Sequence, residues 1–291
     1  MPIAYRVLHR TRYGYSSPVR LGQHRLMLRP RDSHELRLVA SGLAIRPQPI
    51  RTRWLFDVHG NSVALVTFAD EPTSELVVES RLEVEHYGLV PEELPTEPFA
   101  RTWPFNYAPD ETPDLAPCLA RQWADPEGRL DRWARRFVKD KDEIGTQELL
   151  MALSSSIKST LPYRLRDEEG TQGPLVTLRE GGSCRDFAAL MMEALRSMGI
   201  AARFVSGYIY SPAGDGSGLV GGGATHAWVD VFLPGAGWVE FDPTNALFGG
   251  TDLIRVAVAR APELTSPVSG TFLGPAGASS PVEVTVTVER L

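Results

Sequence analysis

Seven prolines fall between residues 91 and 117: Pro91, Pro95, Pro98, Pro104, Pro109, Pro113 and Pro117. Each fixes its own φ and removes a backbone donor. Residues 88–117 are therefore predicted to form a connector without regular elements. The aromatics Phe99, Trp103, Phe105 and Tyr107 predict that this connector packs down onto its neighbours. It separates a part of the chain patterned with period two, residues 1–87, from a part that turns helical and then returns to strands, residues 118–291.

In the first part, Glu75–Tyr87 alternates. Leu76, Val78, Leu82 and Val84 point one way and Glu75, Glu79, Arg81, Glu83 and Glu85 the other, with Val77 the exception. That is a half-buried strand. Ser62–Phe68 follows the turn signal His59-Gly60-Asn61, and Ile3–Tyr15 and Leu36–Ile45 are further strand candidates. No helical period occurs here, so an antiparallel, sandwich-like β domain is expected.

In the second part, Leu130, Trp133, Ala134 and Phe137 follow helical spacing, and Leu149, Leu150, Leu153 and Ile157 mark a helix after Thr146, a candidate N-cap. A third helix follows Gly181-Gly182-Ser183-Cys184. It carries Phe187, Leu190, Met191, Ala194, Leu195 and Met198 and is closed by Gly199. Strands are expected over Ala202–Tyr210, Thr225–Phe232, Trp238–Asp242, Leu253–Val258 and Val282–Val288, with loose loops at residues 211–224 and 261–281. The fold class is α+β.

Composition excludes several functions. With 30 basic against 36 acidic residues the formal charge is −6, which disfavours nucleic acid as a partner. No run of apolar residues is long enough to span a bilayer, so no membrane partner is expected. Met1–Ser17 has no apolar stretch of the secretory kind, which predicts a cytoplasmic protein. Two cysteines, Cys118 and Cys184, cannot build a disulfide scaffold.

Five of the six histidines lie in the β domain; from residue 87 onward His226 stands alone. Only Cys184 opens a strongly amphipathic helix. A cysteine there meets the positive end of the helix dipole and unpaired N–H groups, both favouring a thiolate. Thr225–Phe232 and Trp238–Asp242 flank the turn signal Leu233-Pro234-Gly235-Ala236-Gly237. If Phe232 faces Gly237, His226 faces Pro243; if Phe232 faces Ala236, His226 faces Asp242. Only the second register pairs like faces, because a one-residue slip inverts every side chain. His226, Trp228, Asp230, Trp238, Glu240 and Asp242 then share the face opposite Ala227, Val229, Val231, Val239 and Phe241. A thiol, an imidazole and a carboxylate make a nucleophile, a base and an orienter. Asp230 and Glu240 rival Asp242 for the last role, whereas Asp186 suits the helix dipole. Trp228 and Trp238 fit either a cleft wall or a cover for the sheet.

The blocks Gly182-Ser183-Cys184-Arg185-Asp186-Phe187-Ala188, Gly199 to Tyr208, His226-Ala227-Trp228-Val229 and Gly237 to Asn245 resemble the core of the bacterial transglutaminase-like superfamily. Asp57-Val58-His59-Gly60-Asn61 and the β-rich start resemble the N-terminal region that accompanies it. The resemblance implies a papain-like core and the triad Cys184, His226 and Asp242. It also implies amide cleavage or acyl transfer through a thioester on a peptide or protein substrate, as a peptidase or amidase more than a crosslinker. A binding module that has lost turnover is the alternative. The Cys184 backbone N–H would be one oxyanion donor.

Gly216-Ser217-Gly218-Leu219-Val220-Gly221 matches a dinucleotide fingerprint, but no helix follows it to receive a pyrophosphate. A mobile flap beside the His226 strand fits better. No zinc, calcium or α/β-hydrolase motif occurs, so no cofactor or metal is expected.

Overall fold

The computed structural model describes residues 2–88, 93–138, 143–166, 168–211 and 219–291. Gly216 to Gly218 of the glycine motif, and Pro91, lie outside the described residues. The first part contains β1 (Ile3–Arg29), β2 (Leu36–Arg46), β3 (Arg51–Phe56), β4 (Ser62–Thr67) and β5 (Pro72–His86), in the order β2-β5-β1-β4-β3. The 27-residue β1 serves two layers. Its first half pairs with β5 from Ile3↔His86 to Gly14↔Glu75, and its second half pairs with β4 around His24↔Val66. The ladder is irregular between Gly14 and Val19. There the sheet folds over itself and encloses Leu26, Leu28, Val66, Leu76 and Val78, which gives the expected sandwich-like arrangement. The unforeseen β3 is an edge strand whose exposed Arg51-Thr52-Arg53 carries no apolar alternation.

The connector is more ordered than its prolines imply. It contains β6 (Thr102–Trp103) and α1 (Thr112–Leu119). Pro113 lies in the first turn of α1, where a missing N–H costs nothing, and Pro117 is tolerated inside so short a helix. The aromatics do anchor the segment. The Trp103 indole donates to the Met198 carbonyl (3.0 Å), the Tyr107 hydroxyl donates to the Phe232 carbonyl (2.9 Å), and the Ala201 N–H donates to the Tyr107 oxygen (2.8 Å).

The core contains α2 (Arg129–Arg135), β7 (Ile144–Gly145), α3 (Thr146–Thr160), α4 (Pro174–Glu180) and α5 (Cys184–Ser197). Its sheet adds β8 (Ala202–Ile209), β9 (His226–Leu233), β10 (Gly237–Asp242), β11 (Leu247–Phe248) and β12 (Leu253–Ala259), ordered β11-β10-β9-β8-β12. Helix α5 lays Phe187, Leu190, Met191 and Ala194 against Ala227, Val229 and Val231 of β9. Gly145, not Thr146, caps α3; the Thr146 hydroxyl instead donates to the Ala100 carbonyl (2.7 Å). The unforeseen α4 has seven residues, too few to show a period.

The β9–β10 hairpin corrects the expected register. Phe232 faces Trp238, Asp230 faces Glu240 and Val229 faces Phe241. Leu233 pairs with Gly237 around a Pro234-Gly235-Ala236 loop, and Gly235 and Gly237 take positive φ (88° and 74°). The shift from the expected pairing is two residues. Face membership survives it, since the side-chain period is also two, but His226 and Asp242 become diagonal neighbours.

The last two strands also correct the expectation. β13 (Val268–Leu273) and β14 (Ser279–Arg290) pair with β1, the latter from Tyr5↔Arg290 to Tyr15↔Ser279. Part of the stretch 261–281, expected as a loose loop, is therefore strand, and the end of the 118–291 segment closes the N-terminal sheet. The two parts share an apolar seam in which Tyr5, Val7, Leu82 and Val84 meet Tyr208, Ile254 and Val256. Among the described residues no helix is long and apolar enough to cross a membrane.

Candidate active site

Cys184 is the first residue of α5, with Ser183 at the N-cap. The Asp186 carboxylate accepts from the Ser183 N–H and hydroxyl (both 2.9 Å), from Arg166 Nε (2.9 Å) and from the Gln172 N–H (2.9 Å). Asp186 therefore fastens the helix start to Arg166 and Gln172, which extends the dipole role expected for it. Gly181 takes φ 77°, and a Cβ there would collide with the Pro162 carbonyl. That close approach brings Tyr163 alongside Gly182 in an isolated parallel bridge. Cys118 sits in α1, its thiol pushed up by burial.

His226 and Asp242 are both buried, and His226 Nε2 lies 2.8 Å from Asp242 Oδ2. The Thr244 N–H (2.8 Å) and the Asn245 N–H (3.4 Å) donate to Asp242 Oδ1, and Asn245 Nδ2 donates to Oδ2 (2.8 Å). Burial alone would raise the Asp242 carboxyl; His226, the Asn245 amide and the Thr244 N–H outweigh it and hold it below the usual carboxylate range. Burial alone would likewise lower His226. The Asp242 charge and hydrogen bond, helped by Cys184, push it up to about 10. His226 Nδ1 is buried and makes no hydrogen bond of ordinary geometry among the described residues. The Cys184 thiol is the other group that favours the imidazolium, through both hydrogen bonding and charge. The three candidate residues are thus brought together.

The rivals are accounted for elsewhere. Asp230 Oδ2 accepts from Arg203 Nη2 (2.8 Å) and Arg255 Nη1 (3.3 Å). Glu240 Oε1 accepts from the Trp228 indole (3.2 Å). Trp228 is fully buried among Val205, Ile209, Leu253 and Val258, with its ring centroid 5.9 Å from that of His226. It supports the imidazole from behind. Trp238 covers the sheet beneath the Arg203 guanidinium, 4.0 Å from its ring centroid.

Two residues gained no role from sequence reasoning. Asn245 binds the Val220 backbone on both sides, its Oδ1 accepting from the Val220 N–H (2.8 Å) and its Nδ2 donating to the Val220 carbonyl (3.0 Å). The next residue, Gly221, has φ 111°, and a Cβ there would stand 2.5 Å from His226 Nδ1. Farther along, the Gly223 carbonyl accepts from the Val286 N–H of β14 (3.0 Å). The described end of the glycine segment is therefore tied to Asn245 and to β14, and residues 212–218 of the expected flap lie outside the described residues. Asn245 follows Asp242 by three, a spacing suited to a turn around a carboxylate, and that was the available signal. The second residue is Tyr163. Its hydroxyl is kept protonated first by burial, then by the nearby charges of Cys184 and Asp242, and it meets the Cys184 backbone N–H. No sequence spacing signals this contact.

Comparison with known proteins agrees with this architecture. Residues 5–85 match the bacterial transglutaminase-like N-terminal region, and residues 131–243 match the transglutaminase-like superfamily. An uncharacterized protein of Mycobacterium tuberculosis is 32% identical over 259 residues, covering 83% of this chain and 78% of that one. A protein-glutamine gamma-glutamyltransferase of Pseudomonas aeruginosa is 42% identical over 66 residues, which are 22% of this chain and 10% of that one. A solved structure from Cytophaga hutchinsonii, described as "a Putative Cysteine Protease", superposes with a TM-score of 0.74 at 19% identity, covering 100% of this chain and 91% of that one.

Proposed function

The chain belongs to the transglutaminase-like superfamily, and from that premise we propose that it cleaves amide bonds of peptides or proteins through a Cys184 thioester, as a peptidase or amidase. The observation that carries this reading is the buried His226–Asp242 pair, whose remaining ring nitrogen has Cys184 as its other influence. In the proposed resting state the imidazolium holds one proton on Nε2 toward Asp242 and one on Nδ1 toward the thiolate. The sulfur attacks the amide carbon, and the Cys184 N–H stabilises the oxyanion. Tyr163 is the proposed second donor, because its protonated hydroxyl stands against that same N–H. Collapse of the intermediate breaks the C–N bond as Nδ1 gives its proton to the leaving amine. Water then attacks the thioester, giving its proton to Nδ1. The C–S bond breaks, releasing the carboxylic acid and restoring the thiolate.

The local similarity to a gamma-glutamyltransferase favours a second reading in which an amine takes the place of water. One experiment separates the two. Wild type and Cys184→Ala are incubated with casein peptides and dansylcadaverine, and the products are read by mass spectrometry. New carboxyl termini made only by the wild type support hydrolysis. Dansylated glutamine supports transfer, and neither product from the wild type refutes both.

A further inference from the structure

Between the N-terminal sheet and β12 lies a cavity of about 330 Å³. That size reaches the lower end of small-ligand sites. It is lined by groups the proposed chemistry does not use: Arg31, Glu35, His59, Arg203, Glu240 and Arg255. Arg203 spends Nε and Nη2 on Asp230, which leaves its Nη1 donors uncommitted in the described contacts. Arg31 donates Nη1 to the Gly60 carbonyl at the rim (3.0 Å). The acceptors are Glu35, which pairs with Arg255 Nη2 (3.2 Å), and Glu240, whose only described partner is the Trp228 indole on Oε1. Asp230 Oδ1, beside the cavity, is buried with no hydrogen-bond partner.

The field inside is polarised. His59 is lowered first by burial and then, against the opposite pull of Asp57, by Arg203, Arg260 and Arg25. Glu240 is raised to about 8, first by burial, with Asp230 and Glu35 adding to the rise and Arg255 opposing it. One region thus repels protons and another retains them. Three guanidinium groups and the carboxylates of Asp230, Glu35 and the lining Asp32 stand in and beside the cavity, joined as Arg203–Asp230, Arg255–Asp230 and Arg255–Glu35, so the site carries little net charge and offers both signs at once. A simple anion or cation would satisfy only one side.

We propose that this interdomain cavity binds a small zwitterion of the α-amino type, a free amino acid or a dipeptide. Its carboxylate meets Arg31 and Arg203, and its ammonium meets Glu35. The proposal does not depend on amide cleavage, and its test uses a chain that cannot turn over. Full-length Cys184→Ala is titrated calorimetrically with L-alanine and L-alanyl-L-alanine, each beside its N-acetylated and its C-amidated form. Binding that needs both free termini is expected, and the tighter of the two probes tells an amino acid site from a dipeptide site. Glu35→Gln and Arg31→Gln, both at the rim, should each weaken binding about tenfold, the effect of losing one hydrogen bond to a charged group. Arg203 is left intact, because its loss would take from the buried Asp230 the closer of its two guanidinium partners. No heat from either zwitterion overturns the proposal. So does equal binding of the blocked forms, or binding unchanged in both rim variants while their thermal unfolding matches the parent.

Discussion

Replacing Asp242 by Asn tests the electrostatic centre of the proposed site. The substitution keeps size and an acceptor for the Thr244 and Asn245 N–H groups, and removes the charge. The rise of His226 from 6.5 to about 10 corresponds to roughly 5 kcal/mol in favour of the imidazolium, at ~1.36 kcal/mol per pKa unit. Asp242 supplies the principal raising influence, and burial, the largest influence of all, opposes it. In Asp242→Asn burial prevails and His226 is neutral at pH 6. The Cys184 sulfur then loses its cationic partner, and with it the charge that favours the reactive thiolate. Iodoacetamide alkylation of the Cys184 peptide, followed by mass spectrometry from about pH 5 to about pH 9, reads this directly. Wild type should alkylate at a level rate across the range. Asp242→Asn should be at least about tenfold slower at pH 6, and the gap should narrow as the pH rises toward about 9. Cys118, its thiol raised by burial, is a slow internal reference in the same digest. A variant that stays folded and alkylates at the wild-type rate at pH 6 would refute the argument that Asp242 holds the pair charged.

Three further outcomes are expected. Asn245→Ala unties Val220 and removes a donor from Asp242; it should cost about 1–3 kcal/mol in denaturant unfolding and slow Cys184 alkylation at pH 6, whereas a loss of stability alone would reduce Asn245 to a structural tie. Gly221→Ala puts a methyl group against His226 Nδ1 at a φ that side chains avoid; alkylation should fall sharply and the melting midpoint should drop with it, and an unaffected rate and midpoint would show that the segment moves aside at no cost. His9, buried between Tyr208 and Thr11, is lowered to about 4 by burial. A depressed histidine binds its proton more weakly in the folded state, so its contribution is complete above about pH 6.5 and is lost as pH falls from there toward 4, roughly 3 kcal/mol in all. His9→Gln should flatten that part of the pH–stability curve relative to wild type, and parallel curves would contradict the assignment.

Much of the architecture was legible because it rests on local rules. The period-two run of β5, the β-rich run of β4 after its turn signal, the helical spacing of α2, α3 and α5, and Gly199 closing α5 at φ 79° all express constraints acting over a few residues. The candidate site was legible for the same reason. A thiol at a helix start and an imidazole sharing a strand face with a carboxylate follow from helix polarity and strand alternation. The rest was hidden in particular ways. Edge strand β3 carries charge where a pattern would be read, and α1 forms through prolines that happen to fall at tolerated positions.

By itself, the chain determined which side chains share a face and which residue opens the nucleophile helix, since both are consequences of backbone geometry at fixed periods. Tertiary structure decided the rest. The two-residue register shift came from the positive-φ turn at Gly235 and Gly237, which set how far β10 slides along β9. The return of β13 and β14 to β1 came from the length and bend of β1, which offers unpaired edges far from its own sequence neighbours. Those returning strands anchor Gly223 near His226, and the seam between the two parts frames the interdomain cavity. Pairing between segments more than 200 residues apart depends on which edges and apolar faces remain uncovered once the local elements have formed, and no local pattern encodes that.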